Sequence, residues 1–162
     1  MRSRFSNAEL QGWGDDGDPD LLVELAHERI QHRLARENPG GLNEEELLIL
    51  TLYELYCEVN NGGFYFWLFN AGERAYLAPR YLNSLGAVEL ASIVETVLHA
   101  FGTDGPSADT GTRRQQLASL PPSFESICND ADQRYVSLEE DFLEHLYAYC
   151  RRHLTMVRAD WA

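Results

Sequence analysis

The chain has 162 residues, 26 of them acidic and 13 basic, so its formal net charge is −13. This length suits one domain, because domains most often hold about 100 to 150 residues. The acidic excess repels nucleic acid and anionic membranes and attracts basic protein surfaces, which argues against a protein that binds DNA or a membrane directly.

The beginning of the chain predicts a flexible acidic leader followed by a helix. Residues 1–18 are rich in Gly and Asp. Asp18 can cap a helix whose first position is Pro19, and the sequence Asn-Pro-Gly-Gly at residues 38–41 stops that helix near Glu37. We therefore expect a leader over residues 1–18 and a single helical domain over residues 19–158.

A second helix is predicted to begin after Asn43, whose side chain can cap the first turn, where three glutamates follow. Apolar residues then recur at three- and four-residue spacing up to Val59, so one face of this helix is buried. Gly62 and Gly63 should end it, because glycine adopts left-handed conformations at little cost. A short aromatic helix from Phe64 then folds back on the first. The amides expected to bond the open backbone ends are Asn60, Asn61 and Asn70.

The remainder of the chain also has helical periodicity interrupted by turn residues. Ser137 and Glu140 fit a capping box at the start of the final helix. No segment has strand periodicity, so we predict an all-α fold, a compact single-domain bundle of about six to eight helices. The later helices are expected over residues 79–85, 88–101, around 113–117, 124–135 and 137–154.

The last two predicted helices are strongly acidic. The segment from residue 125 to residue 144 holds seven acids and one arginine. Part of this asymmetry is structural, because acids favour the beginning of a helix. Carboxylates four residues apart lie about 6 Å apart along a helix, which is of the same order as the phosphate spacing of a DNA strand. We predict that these acids bind the partner: Glu125, Asp130, Asp132, Glu139, Glu140, Asp141 and Glu144.

A specific motif occupies the turn after the second helix. It reads Glu-Val-Asn-Asn-Gly-Gly-Phe over residues 58–64, with Asn70 following, and Leu-Asn-Ser-Leu-Gly-Ala occupies residues 82–87. With the acidic C-terminal helix pair, these segments resemble a family of bacterial DNA-mimic proteins over residues 43–153. Phe66 departs from the family pattern, which has Gln there. The motif residues, whose expected role is structural, are Glu58, Asn60, Asn61, Gly62, Gly63, Phe64 and Asn70.

The resemblance implies an all-helical, dimer-forming acidic protein. It also implies that the protein occupies the DNA-binding surface of a transcription repressor and so relieves repression. The expected partner is therefore a basic protein, and the chain itself is expected to bind neither nucleic acid nor a membrane.

The sequence argues against an enzyme, a cofactor and a metal. Residues 16–20 have the opening spacing of a calcium loop, but Leu21 and His27 stand where that loop needs Gly and Glu. Glu24 and His27 have the spacing of one di-iron ligand pair, and the required second pair is missing. No serine elbow or phosphate-binding glycine loop is present.

The cysteines and the N-terminus predict a cytoplasmic location. Cys57, Cys128 and Cys150 are odd in number and lack Cys-x-x-Cys spacing, which is typical of reduced thiols. The N-terminal residues lack an apolar signal core, and no apolar run is long enough to span a membrane.

Three functions remain open on the sequence. The favoured one is a DNA mimic that caps the basic surface of a DNA-binding protein. The second is an immunity protein that neutralises a basic toxin with the same electrostatics. The third is a small ligand-binding or enzymatic domain whose pocket is formed by Asn60, Asn61 and Asn70, and it predicts that these amides point into a cavity.

Overall fold

The structure, a computed structural model, describes residues 19–35, 41–154 and 157. The leader predicted over residues 1–18 lies outside the described residues, as does the predicted end of the first helix at Glu37. The described residues are helical and contain no strand, which confirms the all-α fold class. Their helices are α1 Pro19–Leu34, α2 Glu44–Ala71, a 3-10 helix Gly72–Leu77, α3 Ala78–Leu85, α4 Val88–Phe101, α5 Thr110–Ser119, α6 Pro122–Tyr135 and α7 Glu139–His153.

Helix α2 is the central element of the fold. It packs against α1, α3, α5, α6 and α7, and α4 closes the bundle against α3 and α6. The apolar core is continuous and receives buried side chains from all seven of these helices. Within the described ranges, no helix is both long and apolar enough to cross a membrane.

The N-terminus of α2 is fixed by the predicted cap. The Asn43 side chain accepts a hydrogen bond from the Glu46 backbone N–H at 2.8 Å, and the Glu46 carboxylate accepts one from the Asn43 N–H at 3.0 Å. Glu46 also forms a buried ion pair with Arg33 of α1. One carboxylate therefore satisfies the helix terminus and joins the first two helices.

A second buried cation joins the end of α2 to α5 and the loop that precedes it. Arg113 of α5 is fully buried, and its Nε donates to the Leu68 carbonyl oxygen at 2.7 Å, near the end of α2. Its guanidinium also donates to the Ser107 carbonyl oxygen at 2.8 Å. A Cβ on Gly72 would lie 2.8 Å from Arg113 Cδ, so Gly72 leaves space for this side chain.

The capping box predicted at Ser137 is wrong. The residue that precedes α7 is Leu138, which supplies no side-chain cap, and the Ser137 hydroxyl donates instead to the Arg134 carbonyl oxygen at 3.0 Å. Ser137 thus serves the end of α6, because the chain turns at once into the next helix and leaves the last carbonyls of α6 within its reach.

Replacing Glu46 by Gln is expected to lower the free energy of unfolding by about 3 kcal/mol, because it removes the charge of one partner from a buried ion pair. The matched control is Glu44→Gln, two residues earlier, which breaks an exposed ion pair with Arg80 and should change stability little. Urea unfolding followed by circular dichroism measures both variants. Equal losses would contradict the role assigned to Glu46.

Candidate functional site

The Asn-Asn-Gly-Gly motif lies at a sharp bend inside α2. Gly62 and Gly63 leave the helical conformation, and Gly63 has a positive φ of 81°. On the two sides of the bend, Asn70 Nδ2 donates to Glu58 Oε2 at 2.9 Å. Residues twelve apart in a straight helix would be separated by about 18 Å along its axis, so the aromatic half of α2 folds back on the first half, as the sequence predicts.

The bend is capped by a carboxylate from a distant helix. The Phe64 N–H is a donor at the start of the second half of α2, and Asp132 Oδ1 of α6 accepts from it at 2.7 Å. A Cβ on Gly63 would lie 2.3 Å from Asp132 Oδ2. Gly63 therefore meets two requirements, a left-handed backbone and close approach of Asp132. Burial raises the pKa of the Asp132 carboxyl, while the hydrogen bond from Phe64 acts in the opposite direction.

The asparagines do not bond the backbone ends as expected. Asn60 Nδ2 donates to the Tyr135 hydroxyl at 3.4 Å, and Asn70 is bonded to the Glu58 side chain. Asn61 is exposed and makes no hydrogen bond within the described part of the chain. The expectation was wrong because a carboxylate brought by tertiary packing already satisfies the Phe64 N–H.

Aromatic side chains fill the inner and outer sides of the bend. Phe64 is fully buried and packs edge-on against Trp67 and Tyr135, with both ring centroids 6.1 Å away. Phe66 lies on the outer side and is 41 % exposed, and a Cβ on Gly62 would come within 2.7 Å of its ring.

The Asn-Asn-Gly-Gly part of the motif, residues 60–63, and two predicted partner-binding acids line one depression of about 270 Å³. Asn60, Asn61, Asp132 and Glu139 contribute its polar side chains, and Val136, which is 73 % exposed, lies among them. Asn70 does not line this depression, since its amide is held by Glu58 on the inner side of the bend.

The other predicted acids are spread over α6 and α7. Asp130 lines a depression between α4 and α6, and Asp141 lines another with Glu89. Within the described residues, none of the predicted acids other than Asp132 forms an ion pair or a side-chain hydrogen bond. The exposed members of this set are Glu125, Asp130, Glu140, Asp141 and Glu144, whereas Asp132 and Glu139 are half-buried.

A separate polar cluster joins α1, α2 and the 3-10 helix. Arg74 bonds Glu54 at 2.6 Å, and Gln31 donates to the same glutamate at 3.0 Å. His27 packs against Tyr53 with ring centroids 4.9 Å apart. Burial raises the pKa of Glu54 to about 7, and burial, followed by the charge of Arg74, lowers the pKa of His27 to about 4.

The contacts of this cluster connect α1, α2 and the 3-10 helix. Burial raises the pKa of the neighbouring Cys57 thiol, so this cysteine is not activated as a nucleophile. Across the described ranges, no three His, Cys, Asp or Glu side chains are grouped so that they could hold a metal ion.

Gly63→Ala is expected to lower the free energy of unfolding by more than about 2 kcal/mol, because it combines backbone strain with a clash against Asp132. Gly86→Ala is the matched control, since Gly86 has a similar φ of 86° and open space around it, and should cost about 1 kcal/mol. In an Asp132→Ala background the difference between the two alanine variants should shrink. Chemical denaturation measures all four variants, and equal losses at the two glycines would refute the packing role of Asp132.

Glu54 and His27 should give opposite pH dependences of stability. The raised pKa of Glu54 favours the folded state at low pH, and this contribution is lost as pH rises from about 4.5 to about 7. The lowered pKa of His27 gives stability above about 6.5 that is lost as pH falls towards about 4. Relative to the parent protein, Glu54→Gln should gain about 1 to 3 kcal/mol across its window as pH rises, and His27→Asn should lose a similar amount. Unfolding free energies measured from pH 4 to pH 8 test both signs, and a constant offset for either variant would contradict the assignment.

Comparison with known proteins supports the sequence resemblance. A family model described as DMP19-like protein matches residues 40–153 of the chain. Neither the comparison with curated proteins nor that with solved structures found a match. The matched region begins just before the Asn43 cap, includes the bend and the acidic helices, and ends with α7. Because it covers well over half of the 162 residues, the chain belongs to the DMP19-like family of DNA-mimic proteins.

Proposed function

We propose that this protein binds the basic surface of a DNA-binding protein, such as a transcription repressor, and blocks its access to DNA. One observation carries the proposal: the exposed acids of α6 and α7 have no cationic partner within the described part of the chain. Carboxylates that are not paired internally are available to the arginines and lysines that would otherwise contact DNA phosphates.

The electrostatics fit an inhibitor that acts by association alone. A net charge of −13 on 162 residues speeds encounter with a basic surface, and salt screens that attraction. Helices hold the carboxylates of Glu140 and Glu144 one turn apart. The proposal requires no catalytic residue and no cofactor.

The proposal also includes the cellular location and the oligomeric state of the protein. We place the protein in the cytoplasm, where the three thiols, which form no disulfide, stay reduced. A homodimer, as the family resemblance implies, stays a prediction that size-exclusion chromatography with light scattering can test.

The proposal is tested by capture, identification and competition. The tagged protein is incubated with native lysate at low salt, and bound proteins are eluted with rising salt and identified by mass spectrometry. The captured protein is then purified and bound to a fluorescent DNA duplex that carries its own binding site. We expect stoichiometric addition of the acidic protein to displace the DNA, and we expect salt to weaken the protein complex.

Matched variants separate position from net charge. Glu140→Gln combined with Glu144→Gln should weaken binding to the captured protein about three- to tenfold, since exposed ion pairs contribute about 0 to 1 kcal/mol each. Glu24→Gln combined with Glu28→Gln removes an exposed pair of equal charge and spacing from α1 and should have a smaller effect. Equal effects of the two double variants, or a captured protein that keeps its DNA, would refute the proposal.

A further inference from the structure

A groove of about 390 Å³ lies between the start of α3, the end of α4 and the loop over residues 102–106. This volume lies within the range of about 300 to 1,000 Å³ typical of ligand-binding pockets. The groove shares no lining residue with the depressions beside α6 and α7. It is therefore a separate surface from the acidic helices.

One wall of the groove is an exposed aromatic ring. Tyr76 is 69 % exposed, and within the described residues its ring makes no contact with another ring or with a guanidinium. Tyr65, which is also partly exposed, differs because its ring packs on Phe124 with centroids 6.4 Å apart. Nearby Arg80 lies over the ring of Tyr81 and not over Tyr76. The face of Tyr76 is thus open to a group from outside.

The rest of the groove combines an apolar floor with negative charge. Pro79 and Leu98 supply half-buried apolar surface, and His99 also lines the groove. Glu95 and Asp104 are exposed carboxylates that form no ion pair and no side-chain hydrogen bond in the described part of the chain. No arginine lines the groove, and the chain contains no lysine.

We infer that this groove binds an arginine side chain from an extended segment of another protein. The apolar stem of arginine would cover Pro79 and Leu98, its planar cation would stack on Tyr76, and its N–H groups would reach Glu95 and Asp104. The same chemistry occurs within the fold, where the Arg114 guanidinium lies 4.1 Å from the centroid of Phe69. The inference does not rest on the proposed role of the α6 and α7 acids.

The test is a ¹⁵N NMR titration of the whole protein with a short peptide of glycine and serine that carries two arginines. We expect chemical-shift changes centred on Tyr76, Glu95 and residues 102–106. Tyr76→Ala should weaken binding about two- to fivefold, the range expected for an exposed cation–π contact. Glu95→Gln combined with Asp104→Asn should weaken binding by at least as much. All three positions are exposed, so melting temperatures are expected to stay near that of the parent protein.

The controls decide whether the groove, and arginine in particular, are responsible. Glu24→Gln combined with Glu28→Gln removes the same charge from α1 and should leave peptide binding unchanged. Equal weakening by both charge pairs would show general attraction to an acidic protein and overturn the inference. Equal binding of a lysine peptide, or no shift at the groove, would overturn it too. Groove signals that move on dilution without peptide would identify a second copy of the chain as the occupant and refute an arginine segment.

Discussion

The contact between Gly63 and Asp132 connects the bend in α2 to α6. The residues are far apart in sequence, yet the carboxylate occupies the space where a Cβ on Gly63 would lie. It also accepts the Phe64 N–H bond at 2.7 Å, so the second half of α2 begins where α6 is placed. Because α2 packs against five other helices, the angle of its bend sets where the aromatic half can meet the core.

Burial of arginine side chains removes positive charge from the surface and so makes the surface more acidic. Among the described residues, three arginines are buried, and only one acid, Glu46, is buried with them. Arg33 pairs with Glu46, and Arg113 donates to backbone carbonyls and pairs with Glu73 at 3.7 Å. Since these cations serve the interior, they do not neutralise the exposed carboxylates of α6 and α7. Among the described residues, the buried charges are thus mainly positive, whereas the net charge of the chain is −13.

The sequence predicts those parts of the structure whose causes are local. Apolar spacing, the Asn43 cap and the glycine breaks identify the helices and the bend, because each depends on residues within a few positions of each other. Asp132 was predicted as a partner-binding acid, and no local signal indicates its contact with the bend, since its backbone partner lies 68 residues away. Arg113 had a detectable signal, because it precedes buried Leu117 by four residues and so shares its helical face.

The bend at the Asn-Asn-Gly-Gly motif is bonded to α6, the first of the two acidic helices. A surface that imitates DNA must hold its charges at fixed positions, because ordering them on binding would weaken the complex. Asp132 accepts the hydrogen bond from the Phe64 N–H and thereby fixes α6 against the bend, and Asn60 adds a bond to Tyr135 at the end of the same helix. Val136 and Glu139 follow directly, so the bend also positions the start of α7. One acid of the predicted set, Asp132, therefore has a structural role at the bend, and its contact fixes the helix that also carries Glu125 and Asp130.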